Sequence, residues 1–147
     1  MGFFNKATGD FRVCIESANQ FYSVAEWCFN RDAVDFMTNA MYPFVVNISF
    51  ACELYIKAIM IKNSSLSEFE RGHNLLDLYQ ALEAKDQAAL EHEFTARYSA
   101  KKLKDLLDEN KTVFIDWRYA LEKTVSADIS GLKAFADSLI AYIRSLG

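Results

Sequence analysis

One stretch constrains the fold more than any other: Pro43 to Lys62, PFVVNISFACELYIKAIMIK. Its polar side chains are Asn47, Ser49, Glu53, Lys57 and Lys62. Ser49, Glu53 and Lys57 recur every fourth residue, so a helix places them on one narrow line. The other faces are apolar. Such a helix needs cover on most sides, which makes it the central helix of a bundle. Glu53 precedes Lys57 by one turn, the favourable order for a helical ion pair, worth a few tenths of a kcal/mol where exposed. The expectation is a structural pair on the one solvated edge. The functional alternative is a pair lining a groove or an interface.

The composition suits that bundle. One Pro and five Gly in 147 residues leave room for long, uninterrupted helices. The length fits a single domain over residues 1–147. Apolar residues make up 52%, which argues against disorder and allows a real core. The net charge of -4 excludes a broadly basic nucleic-acid binder and leaves a local patch open. Cys14, Cys28 and Cys52 form an odd set in apolar surroundings and read as buried, reduced thiols. MGFFNKATGD has no basic segment followed by an apolar run, so it does not read as a signal peptide. Pro43 to Lys62 approaches membrane-spanning length, but a mid-helix Glu53 and Lys57 would be costly in lipid. The expectation is a cytoplasmic protein without a membrane segment.

Along the chain, helical spacing predicts a first helix from Asp10 to Asn30, with Asp10 as N-cap. Ala33 to Tyr42 is ambiguous: a short helix or the start of the central one. Pro43 marks a boundary or kink. The central helix ends near Asn63, and NSSLSEFERG is a polar connection. A short helix begins near His73 or Asn74. Asp86 is the expected N-cap of a helix through Tyr98, and Ser99 that of the next. That next helix is long, either continuous or broken near Asn110, and runs through Trp117 to Leu121. VSADIS is a linker. The last helix carries Ile129, Leu132, Phe135, Leu139 and Ile143 on one face. The fold class is therefore all-α, an up-and-down bundle of about five to six helices.

Motifs for chemistry are sparse. The sequence has no Gly-rich phosphate loop, no GxSxG and no HExxH. His73 and His92 are the two histidines, too far apart for a metal site of ordinary spacing, and no metal or cofactor is expected. Three constellations remain. The first is Glu53 with Lys57. The second is Arg71-Gly72-His73-Asn74, where His73 falls at a helix N-terminus that attracts anions. Its bland reading is a His that caps or packs; its functional one is a phosphate-facing Arg71 and His73. The third is Asp116, Arg118 and Glu122 beside Trp117 and Tyr119. There Arg118 pairs with a carboxylate in a structural network, or serves a site. Arg97, Lys101, Lys102 and Lys104 near Tyr98 form a basic stretch that reads as a solvated face, with contact to phosphates as the functional alternative.

Taken in order, AxELYxKAxxI (Ala51 to Ile61), GHxLxxLYxxL (Gly72 to Leu82) and FIxWRYxxE (Phe114 to Glu122) resemble the HEPN superfamily of prokaryotic helical domains. The resemblance covers about half the chain. It implies a helical bundle, usually a homodimer, with roles in toxin–antitoxin pairs, phage defence and RNA metabolism. It also implies a nucleotidyltransferase-type partner, and RNA or nucleotide as further partners. Many members are metal-independent ribonucleases with an Arg followed, after four to six residues, by a His. Here neither His follows an Arg at that spacing. Lys123, Thr124 and Val125 occupy the positions after Arg118 where that His would fall, and Arg71 and His73 are too close together. The expected function is thus a non-catalytic binding module. The alternatives are a divergent endoribonuclease using Arg118, Glu122, Lys123 or His73, and a purely structural dimerisation domain.

Overall fold

A computed structural model describes residues 10–63, 74–111 and 128–146. They form six packed helices, with no strand among the described residues: α1 (Phe11–Phe29), α2 (Met41–Lys62), α3 (Leu75–Gln80), α4 (Ala84–Arg97), α5 (Leu103–Asn110) and α6 (Ile129–Leu146). The all-α expectation holds.

α1 starts where Asp10 accepts a hydrogen bond from the Val13 amide at 3.1 Å, as an N-cap should. It runs antiparallel to α2, with pairings that step evenly along both helices. Lys62 lies over Phe11, Cys14 donates to the Leu54 carbonyl, Phe21 stacks on Phe50, and Phe29 meets Phe44. α6 is antiparallel to α1 as well, through Tyr22 with Asp137 and Glu26 with Lys133. α4 is antiparallel to α6, with Asp86 on Tyr142 at one end and Tyr98 on Asp128 at the other. α2 and α6 therefore run side by side in the same direction, with α1 against both.

α2 is the centre. All residues from Ala51 to Met60 are buried. Residues 33–62 are long and apolar enough to cross a membrane by composition, yet 78% of the 18-residue apolar window within them is buried inside the bundle. The ambiguous stretch before α2 is a single turn, Ala33–Asp35, followed by a π-helical turn, Phe36–Ala40. Pro43 accounts for that wide turn. It has no N–H to offer the carbonyl four residues back, and its ring would crowd that carbonyl in a regular helix. The chain so passes into α2 with a change of winding and without a break.

Several expected helix starts need correction. α4 begins at Ala84 with Glu83 as its cap residue, so Asp86 is not an N-cap. Asp86 is 1% exposed and accepts from Tyr142 Oη and, at 2.8 Å, from Asn63 Nδ2. Ser99 does not cap the next helix either: α5 starts at Leu103 behind Lys102. Ser130, expected within a linker, is already helical, and Ile129 opens α6, the helix whose face it was expected to join. Asp128 organises that start. It accepts from the Gly131 amide at 2.9 Å and from Tyr98, and pairs with Lys101 at 2.9 Å. Asn110 closes the corner by accepting from the Asp128 amide at 3.0 Å. α3 starts in the region expected, near His73 or Asn74, and Asn74 is its cap, accepting from the Asp77 amide.

Candidate functional site

Glu53 and Lys57 lie in the interior, each 3% exposed. Lys57 Nζ donates to Glu53 Oε2 at 2.9 Å. The expected solvated edge is absent: the bundle closes over the polar line too. It can do so because the two charges compensate one another within one turn, which offsets part of the desolvation cost. Ser49, one turn before, is also buried, and its Oγ has no hydrogen-bond partner among the described residues. Cys14 stands against the same line. Burial pushes its thiol up to about 12, with the Lys57 charge pulling it down and the Glu53 charge pushing it up. That sulfur stays protonated at neutral pH and is no nucleophile.

Arg71, His73, Asp116, Arg118, Glu122 and Lys123 lie outside the described residues. The structure therefore brings together Glu53 and Lys57 and adds Cys14 to them. Among the described residues, no group of three His, Cys, Asp or Glu side chains is placed to hold a metal ion. Arg97 and Lys101 of the basic stretch each have their own partners. Arg97 Nη1 donates to the Glu93 carbonyl at 3.0 Å and to Oε1 of Glu93 at 2.7 Å. Lys101 pairs with Glu109 at 2.5 Å and with Asp128. Lys102 and Lys104 are exposed.

Sequence reasoning missed an open cleft between α1, α4 and α6. Its volume is about 470 Å³, and Tyr22, Glu26, Arg97, Asp137, Ile140, Ala141 and Arg144 line it. Tyr22 Oη donates to Asp137 Oδ1 at 2.5 Å and sits 3.3 Å from Glu26 Oε2. Burial and these two carboxylates raise the phenol well above its usual range. Lys133 lies 3.0 Å from Asp137 and over the Tyr22 ring at 5.3 Å. The signals available in the sequence were the helical spacings Tyr22–Glu26 and Lys133–Asp137. Each looks like an ordinary surface pair until α1 and α6 are set side by side. No protein-family model, curated protein or solved structure gives a significant match to this chain.

Proposed function

We propose that this chain is a HEPN-like helical module of a prokaryotic defence or toxin–antitoxin-type system. It acts in the cytoplasm as a homodimer, binds a protein, nucleotide or RNA, and catalyses no reaction itself. A nucleotidyltransferase-type protein is the partner this reading favours. The observation that carries it is the position of Glu53 and Lys57. They are the charged pair of the block AxELYxKAxxI, and they meet in the interior, where they hold the bundle together and no substrate reaches them. The exposed side chains of Trp27, Val34 and Met37 supply apolar surface of the kind that a dimer contact covers.

Catalysis would have to come from Arg118, Glu122 or His73. Cleavage of RNA by its 2′-hydroxyl needs a proton acceptor and a cation to meet the phosphate. Lys123 is a poor acceptor, because an ordinary lysine is protonated at pH 7. The test is incubation of the purified protein with RNA in excess chelator, beside light scattering for the oligomeric state. Intact RNA and a dimer are expected. Cleavage lost in both Arg118→Ala and His73→Ala, with folding retained, would overturn the reading.

A further inference from the structure

The charges lining the cleft are not all used. Asp137 is served by both Tyr22 and Lys133. Glu26 is about half exposed; Tyr22 Oη at 3.3 Å and Lys133 at 3.9 Å both meet its Oε2, which leaves Oε1 open among the described residues. Arg97 commits Nη1 to Glu93, and that carbonyl contact explains a cation at the end of α4. Arg144 also stands in the last turn of its helix, but it makes no hydrogen bond or ion pair among the described residues. It lines the cleft with a whole guanidinium to spare.

We propose that this cleft binds a small organic phosphate. Arg144 and the free edge of Arg97 take the phosphate, and Glu26 accepts from hydroxyl groups on the rest of the molecule. A guanidinium fork matches phosphate and carboxylate oxygens alike. One carboxylate is satisfied by one guanidinium, whereas a phosphomonoester brings three oxygens and a charge of about −1.5 to −2, which employs both arginines. The cleft's 470 Å³ is far more than a lone phosphate needs and falls within the roughly 300–1,000 Å³ of small-molecule sites. Ile140 and Ala141 add apolar side chains to its lining. The inference stands on the cleft alone and holds whether or not the family reading does.

The experiment is titration of the ¹⁵N-labelled full chain at low ionic strength, followed through backbone amides and arginine Nε–H signals. The probes are ribose 5-phosphate, ribose, gluconate and inorganic phosphate. Ribose 5-phosphate should saturate, with shifts around Glu26, Arg97, Ile140 and Arg144. Inorganic phosphate should shift the arginine signals more weakly, gluconate should bind at least about tenfold more weakly, and ribose should not bind. Arg144→Gln removes an exposed side chain without touching the core, and should weaken ribose 5-phosphate at least about tenfold with the spectrum otherwise preserved. Four results would each overturn the proposal: no saturation by about 20 mM ribose 5-phosphate, equal binding of ribose, equal binding of gluconate, or an Arg144→Gln variant that binds as the parent does.

Discussion

Lys57 donates to Glu53 one turn earlier on α2, at 2.9 Å, and both side chains are only 4% exposed. A pair this deep costs desolvation to form and more to break. Lys57→Met should therefore lower stability by about 3–5 kcal/mol, because the Glu53 charge stays buried and loses the Lys57 cation. Adding Glu53→Gln to that variant should recover much of the loss. Urea unfolding of the two single variants and the double measures the coupling. A double variant no more stable than Lys57→Met would show the charges to be energetically independent.

Asp86 ties together three helices through Tyr142 and Asn63. Tyr142→Phe keeps the ring packing and removes one donor from a buried carboxylate. The expected cost is about 1–3 kcal/mol, read as a lower urea midpoint with an unchanged slope.

Gly131 lies in the first turn of α6, and its position is explained by its neighbours. A Cβ there would fall 2.4 Å from Leu106 Cδ1 and 2.8 Å from Asp128 Oδ2. Leu106 is fully buried and Asp128 is fixed by Lys101 and Tyr98, so neither side chain has free space to move into. Alanine is the better helix former by about 1 kcal/mol, but overpacking of this kind costs about 1–3 kcal/mol. Gly131→Ala should be a net loss of about 1 kcal/mol, visible as a lower Tm.

Alkaline pH should destabilise the fold. Burial pushes the phenols of Tyr79 and Tyr142 up to about 12, and the bond to Asp86 adds to it at Tyr142. The folded state thus holds these protons more tightly than the unfolded chain, whose tyrosines titrate near about 10. Their contribution is complete below about pH 10 and is lost as pH rises towards about 12. Urea midpoints at pH 9 and pH 11 check the sign. Equal midpoints would mean that these phenols ionise in the native state at their usual pH.

The three cysteines should be silent in the native protein. Cys14, Cys28 and Cys52 are free and buried, and burial raises each thiol. Ellman's reagent at pH 8 should label none within minutes, and three per chain in denaturant. Rapid labelling of a native thiol would reveal local opening of α1.

Much of this fold can be read from particular residues. Asp10 and Asn74 signal their helix starts because a capping oxygen acts on an amide three residues away, a purely local event. Asp86 has the same local signature and a different fate. It is claimed by Tyr142, 56 residues later, and no local pattern encodes that. The Glu53–Lys57 spacing likewise gives the pairing and is silent about burial, which depends on which helices close over the line. The cleft is harder still. Tyr22 and Asp137 are 115 positions apart, and only the antiparallel docking of α1 and α6 makes them neighbours.

Residues 33–62, through the π turn and α2, carry an 18-residue window as apolar as a membrane span into a bundle. Order of synthesis then matters. The ribosome delivers α1 first, and α1 forms the most extensive helix pair with α2. The nascent helix thus meets its largest cover as it emerges, while α6, the second, arrives last. A chain halted before residue 129 would carry α2 with one flank bare. Such fragments should recruit chaperones or aggregate even though every residue of α2 is present and correct.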